Sequence, residues 1–570
     1  MKNKNSFKVK SLEEYFLSYN DNSWLNHLLP DPETDKYKPN KKSREVLSGH
    51  YILVKTTPMA NPFLISYSTI LMKELGLSNS IMQSDEMIKF LSGYSINKPT
   101  WSTPYALSIY GQEMYSNCPF NTGNGYGDGR LHSIGEFVIN GKRWEFQLKG
   151  SGTTPFSRSG DGRSVLRSSV REYIVSEAMH CLGVPTTRAL SLIVSSSEKV
   201  YRAWYSKPNS SKNSCSIKKN TCDQNETMEL NPIAIVCRVS PSFLRVGHLE
   251  LFGRRARNGK KSEIYQLELI FRHMLFREYP ELLNLSLENS IIAVLKQFTI
   301  KLSVLISHWL RVGFVQSNFN SDNCLVSGRT MDYGPFGFLE KYDPNKNFWT
   351  GGGQHFSFMN QPNAAKMNFY SFANSLKPLV NQNKLYEIDN LIDNFDKISE
   401  KIINEMWAQK LGLITINWFD GPKQLFERLL LLMEQTDVDY TIFWRQLTEF
   451  PNSNMQIEQM KKAFYNKNLN GEWINWFHDY NNLLKLENRN PHIISNDMKK
   501  QSPKYIPREW MLAEAYTTAK NNNYEMISEL YNLFKFPYDE QPEMEQKYYK
   551  LTPLNIVENQ PGISFMSCSS

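Results

Sequence analysis

The sequence predicts an α+β enzyme of two lobes with a cleft between them. Two observations predict it: a β-rich front carrying one marked helix, and a long helical rear. Each part can bury an apolar face only against another layer, and sites form where such parts meet.

In the front, "IGEFVINGKRWEFQLK" (residues 134–149) places Asn140-Gly141 between two alternating runs. Both turn positions of such a hairpin need positive φ, which Asn and Gly tolerate. In the second strand Trp144, Phe146 and Leu148 share one face, and Glu145, Gln147 and Lys149 share the other. A Gly-rich linker, "GSGTTPFSRSGDGR", follows. A helix is then expected from about Ser164 to Leu182. Its stripe is Val165, Leu166, Val170, Tyr173, Ile174, Ala178 and Leu182, with Gly183 as its stop and Glu172 two turns in. Residues 206–229 are almost purely polar and read as a disordered or loop-like insertion. Helical patterns dominate residues 263–325 and 385–540. One of them, "LSVLISHWLRVGF", ends near Gly313. The loop "VQSNFNSDN" then leads to a short strand, "CLV", and to a second turn carrying Asp332.

Composition narrows the function. The chain has 570 residues and a net charge of 65 − 57 = +8. That permits an anionic ligand without demanding nucleic acid, and no nucleic-acid partner is expected. No run of about 18 apolar residues is seen, so no membrane span is expected. The start lacks a signal-peptide core. It also lacks arginine and carries Glu13 and Glu14, which favours a cytoplasmic address over the mitochondrial alternative. The basic run "RRARNGKK" (254–261) reads either as a solvated loop or as a phosphate-facing or partner surface. Seven scattered cysteines show no CxxC pair, so neither a zinc site nor a disulfide framework is indicated. Oligomeric state is not legible.

Four features carry chemistry. Lys149 and Glu172 lie 23 residues apart. A strand lysine and a helix glutamate hold nucleotide phosphates in protein kinases, but a surface ion pair has the same pattern. In "SDNCLVSGRTMDYGPFGF" (321–338), Asp322, Asn323 and Asp332 follow the kinase order of base aspartate, metal asparagine and metal aspartate, at different spacing. Oxygen ligands of this kind suit Mg²⁺ beside phosphate; hairpin decoration is the alternative. "GDGR" occurs at 127–130 and 160–163, where glycines allow backbone approach to phosphate and arginine supplies a fork. Each copy also fits an ordinary turn. "RVSPSFLR" sets Arg238 and Arg245 seven apart.

Taken together, "GDGR", "KGSGTTPFSRSGDGRSVLRSSVRE", "RV.PSFLR.GH.E.F", "N.DN…MDYGPFGFL..YDP", "NQP" and a terminal "SCSS" resemble the selenoprotein O family of pseudokinase protein adenylyltransferases. The similarity runs from about residue 61 to the end, interrupted by the polar insertion. The resemblance implies a protein-kinase-like two-lobed fold with N- and C-terminal extensions. The expected division is an extension at 1–60, an N-lobe at 61–240, a C-lobe at 241–500 with its catalytic and metal loops at 316–338, and a helical extension with a Cys-containing tail at 501–570. It implies ATP bound in a flipped orientation and transfer of AMP to Ser, Thr or Tyr hydroxyls of proteins, self-modification included. By motif, Gly127, Gly129 and Arg130 fall on the first phosphate loop, and Lys149 and Glu172 on the strand–helix pair. Asp161 and Gly162 fall on the second loop, and Arg238 and Arg245 on the arginines of the flipped pose. Asp322 falls on the base, and Asn323 and Asp332 on the ligands of Mg²⁺ or Mn²⁺. Three rivals stand beside this reading: a kinase moving the γ-phosphate, a silent nucleotide-binding scaffold, and a uridylyl donor.

The chain departs from the family pattern at three places. "QSNFNSDN" (316–323) replaces the usual "HGVMNTDN", and "YGQEMYSNCPFNTGNGYGDGR" is longer than the usual approach to the first loop. Cys568 matches a position that is selenocysteine in some members. The cysteine that pairs with it in relatives has no counterpart in residues 343–358, so an unpaired tail thiol and a redox switch through another thiol such as Cys324 both remain. His180 and His248 are expected in core or supporting roles.

Overall fold

The computed structural model describes residues 12–94, 98–158, 161–205, 226–452, 457–466, 471–559, 562–563 and 566. The fold is mixed α and β. Its strands are β1 (Ile52–Leu53), β2 (Pro62–Tyr67), β3 (Trp101–Ser102), β4 (Ser108–Ile109), β5 (Gln112–Glu113), β6 (Leu131–Ile139), β7 (Lys142–Lys149), β8 (Ser164–Val165), β9 (Arg188–Tyr205), β10 (Glu226–Ser240), β11 (Phe314–Gln316) and β12 (Phe336–Phe338). An eight-stranded antiparallel sheet has the order β1-β3-β6-β7-β10-β9-β2, with β8 paired to β10. β4–β5 and β11–β12 form separate two-stranded ribbons.

The β6–β7 hairpin turns where Asn140-Gly141 requires it, at φ 53 and 74. The alternation of β7 is real, but both of its faces are covered. Trp144, Phe146 and Leu148 join Phe16, Leu71, Leu75, Phe90 and Phe137 in one apolar cluster. The opposite face carries Glu145, Gln147 and Lys149, all buried. β10 divides in the same way: Ile233, Ile235, Cys237 and Val239 enter that cluster, and Ala234 and Val236 enter the other, larger core.

Five helices position the site: α1 (Leu166–Cys181), α2 (Val246–Ala256), α3 (Leu287–Val312), α4 (Gln361–Leu376) and α5 (Glu509–Lys520). α1 packs on β9 and β10 through Val170, Tyr173, Ile174 and Ala178. α3 is long and apolar enough to cross a membrane by length and composition, a pattern the search for an unbroken apolar run missed because Lys296 and Lys301 interrupt it. Some 67% of that stretch is buried inside the protein, where it is a core helix. It ends at Gly313, in the left-handed conformation at φ 76, and a Cβ there would meet the Tyr440 ring at 2.9 Å.

Two sequence expectations are corrected here. "CLV" is not a strand: Cys324 bridges Thr330 and Leu325 bridges Arg245, each through an isolated antiparallel contact. The polar insertion is shorter than its composition implied, because residues 226–229 belong to β10 and pair with 202–205 of β9. Cross-strand pairing holds this stretch although three of its four residues are polar. Residues 206–225 of the insertion, and Cys568 with its proposed redox role, lie outside the described residues; Cys324 is buried.

Candidate active site

Strand register sets the first half of the site. Lys149 stands opposite Val236, and Arg238 stands opposite Gln147, so the two cations are diagonal neighbours on one face of β7 and β10. α1 crosses that face and brings Glu172, 1% exposed, against both. Lys149 Nζ donates to Glu172 Oε2, and Arg238 Nε donates to Glu172 Oε1. Both cations also reach Asp332 Oδ1, Lys149 at 3.1 Å. The Lys149–Glu172 contact is therefore a buried pair, which rules out the surface ion pair left open by the sequence.

Two cations and two carboxylates stabilise one another's charged forms. Burial works to raise the Asp332 carboxyl, but Lys149 and Arg238 outweigh it and hold the group well below the usual carboxylate range. Glu172 is likewise lowered: burial opposes ionisation, and Arg238 and Lys149 restore it. Burial, then Arg238, lowers the Lys149 ammonium.

Arg245 caps α2 from the other side. Its Nη2 donates to Asp128 Oδ1 at 2.7 Å, and its guanidinium lies 4.4 Å from the centre of the Tyr105 ring. Asp128 sits inside the first "GDGR".

The loop after α3 carries the acidic half. Ser317 N–H donates to Pro335 O, the Gln316 N–H to Gln361 Oε1, and Asn368 Nδ2 to Phe319 O. "QSNF" is thus anchored at three points, and a short 3₁₀ turn, Ser321–Asn323, presents Asp322. Asn323 Nδ2 donates to Asn318 O at 2.9 Å. Burial pushes the Asp322 carboxyl up to about 6, against the pull of Arg245 and Arg158. Its Oδ1 is buried and has no hydrogen-bond partner among the described residues.

These groups converge on one polar cavity of about 150 Å³. Gly127, Gly129, Arg130, Lys149, Asp161, Arg238, Arg245, Asp322, Asn323 and Asp332 all line it. Glu172 stands behind Lys149 and Arg238. Gly162 is not in the lining: its carbonyl accepts from Gly152 N–H, and its own Cβ position faces Thr153. The second "GDGR" also turns its arginine away, since Arg163 pairs with Glu198 at 2.9 Å. The two glycines of the first copy are fixed by close packing. A Cβ at Gly127 would stand 2.4 Å from the Phe156 ring, and one at Gly129 would stand 2.7 Å from Asp161 Oδ2.

A cavity with this lining can hold an anionic phosphate chain. Among the described residues no three His, Cys, Asp or Glu side chains form a closed metal site. Asn323 and Asp332 nevertheless offer oxygen donors of the kind Mg²⁺ and Mn²⁺ accept, with Asp322 Oδ1 unsatisfied beside them, and a phosphate would supply further oxygens. The donor set fits a nucleotide-borne divalent ion.

Sequence reasoning missed Asp128, Tyr105, Arg158 and Asn318, which line the cavity or hold its cations. Only Asp128 carried a signal, by lying between the two glycines of a motif already singled out. The basic run 254–261 is largely accounted for locally: Arg254 bonds Glu250 and Leu107 O, and Arg255 bonds Val46 O. Arg257 pairs with Glu113 at 2.6 Å.

A family model described as protein adenylyltransferase SelO matches residues 34–535. A protein nucleotidyltransferase YdiU of Flavobacterium johnsoniae is 33% identical over 560 residues, covering 96% of this chain and 99% of that protein. Proteins of the same name from Methylobacillus flagellatus and Azoarcus sp. are 32% and 33% identical, again over 96% of this chain and 99% of theirs.

Proposed function

The chain belongs to the SelO protein adenylyltransferase family, and from that premise we propose that it transfers AMP from ATP to hydroxyl side chains of proteins, itself included, releasing pyrophosphate. ATP lies flipped in a kinase-like cleft between an N-lobe (61–240) and a C-lobe (241–500), flanked by extensions at 1–60 and 501–570. One observation carries this reading: Arg130, Lys149, Arg238 and Arg245 meet Asp322, Asn323 and Asp332 around a single polar cavity.

The acceptor hydroxyl attacks Pα. Its oxygen forms the new O–P bond, its proton passes to Asp322, and the bond from Pα to the bridging oxygen breaks, so that pyrophosphate leaves with the electron pair. Asp322 suits the role of base: its carboxyl is raised toward neutrality, and one oxygen is free to accept a proton. The four cations neutralise charge that grows on the departing β- and γ-phosphates, and removing one such group typically costs ~10²–10³ in rate. Asn323 and Asp332 would hold Mg²⁺ or Mn²⁺, which when bound would supply further positive charge at the phosphates.

The family description favours adenine, while the relatives' names leave the base open. The test offers α-labelled ATP, γ-labelled ATP and α-labelled UTP with Mg²⁺ or Mn²⁺, and reads label on protein. Label from α-labelled ATP alone is expected. Label from γ-labelled ATP would make the chain a kinase, label from UTP would change the donor, and ATP binding without transfer would leave a scaffold.

A further inference from the structure

Arg245 is gripped at both ends by one circuit of hydrogen bonds. Its backbone N–H donates to His248 Nδ1 at 2.9 Å. His248 is buried, and burial, then Arg245 and two neighbouring histidines, lowers its pKa well below the ordinary value. A neutral ring that accepts at Nδ1 carries its proton on Nε2, and Nε2 lies 2.9 Å from Thr103 Oγ1. The Thr103 hydroxyl therefore receives this proton and gives its own to Asp128 Oδ2, at 2.5 Å. The other oxygen of Asp128 accepts from Arg245 Nη2. The path starts at the backbone of Arg245 and closes on its guanidinium, with Arg245 donating at both ends and the donations converging on the Asp128 carboxylate.

The strand-like segment that supplies Thr103 does more. Tyr105 covers the guanidinium face. Ser108 N–H donates to Ser321 Oγ at 2.8 Å, one residue before Asp322. All four members of the circuit are buried.

We propose that Thr103, Asp128 and His248 are positioning residues of the nucleotidyl-transfer site, a strap that aims Arg245 at the phosphates leaving with the nucleotide's tail. This inference rests on the function proposed above. Removing the Thr103 hydroxyl strips His248 Nε2–H of its acceptor and leaves Asp128 Oδ2 only the longer bond from the Thr103 backbone N–H at 3.2 Å, so the guanidinium is held less firmly while the outline of the side chain stays the same.

The test is Thr103→Val, nearly isosteric, beside Thr103→Ser, which keeps the hydroxyl. Calorimetric affinities for ATP, inorganic pyrophosphate and AMP are measured in the full chain with Mg²⁺. Thr103→Val should weaken ATP and pyrophosphate by about tenfold, leave AMP within twofold, and be rescued by Thr103→Ser; Asp128→Asn should repeat the pattern. Unchanged ATP and pyrophosphate affinity in Thr103→Val would overturn the proposal. So would equal weakening of all three ligands, since a merely structural residue has no means of telling tail phosphates from AMP. Transfer of α-label by the wild type is scored separately: its absence counts against the reaction proposed above, whereas the affinity pattern alone decides the strap.

Discussion

Glu172 and Asp332 hold the same two cations from opposite sides. Glu172 gives one carboxylate oxygen to Lys149 and the other to Arg238, while both cations share Asp332 Oδ1. Glu172 is fully enclosed and Asp332 faces the cavity, so equivalent changes at the two positions should have different consequences.

Asp332→Asn should cut transfer from α-labelled ATP by ~10²–10³ while shifting the melting temperature by only a few degrees. Arg238 and Lys149 keep Glu172, and the amide keeps the shape. Near wild-type transfer in this variant would remove Asp332 from the metal and phosphate assignment.

Glu172→Gln should act on stability first. It leaves two buried cations with half of their compensation, and breaking a buried pair costs about 3–5 kcal/mol. Urea unfolding of this variant against Asp332→Asn checks the asymmetry. A Glu172 variant as stable as wild type would show that its carboxylate is dispensable to the sheet–helix contact.

Gly129→Ala should lower both ATP affinity and stability. The added methyl meets Asp161 Oδ2 at 2.7 Å and Phe156 O at 2.9 Å. Overpacking of this kind typically costs about 1–3 kcal/mol, and the loop that must yield lines the cavity. Thermal unfolding and ATP titration read the two effects, and full retention of both would mean that Phe156 and Asp161 yield to the methyl without cost.

His50 gives a pH signature. Burial lowers its pKa from 6.5 to about 4, with both ring nitrogens engaged by Leu29 N–H and Gln266 O. The unfolded chain takes up a proton near pH 6.5 and the folded chain does so only near 4. The stability that neutral His50 confers is therefore complete above 6.5 and is lost as pH falls toward 4, at ~1.4 kcal/mol per pH unit. The stability lead of wild type over His50→Gln should narrow by about 2 kcal/mol between pH 7 and pH 5 in urea titrations. A lead that does not change with pH would mean that the ring takes up its proton as readily in the fold as in the unfolded chain.

What was legible in the sequence followed from local rules. Asn140-Gly141 fixed a turn, strict alternation fixed the faces of β7, and the stripe from Val165 to Leu182 fixed α1 to within two residues at its start. Local rules do not say what covers a face, and so the polar side of β7 was open to a surface reading until α1 was seen lying across it. They also do not pair Arg245 with Asp128, 117 residues away, or Arg238 with Asp332, 94 away. The residues of 226–229 misled because a largely polar composition does not exclude backbone pairing in a strand. Most of the site residues stood out by type and spacing, and the family resemblance added the flipped pose and the transferred group; the geometry that joins them came from strand register.

Arg171 and Glu172 are consecutive on α1, yet they bind different sets of partners. Arg171 pairs with Glu509 of α5 at 3.3 Å, donates to the carbonyls of Gly334 and Phe336 in the turn after Asp332, and meets Met566 Sδ near the end of the chain. The helix that presents Glu172 is thereby bolted to three separate stretches of polypeptide. It is a fixed post, not a lever. Swinging the helix outward would break four anchors at once, so the position of Glu172 is set as much by contacts remote from the pocket as by those within it.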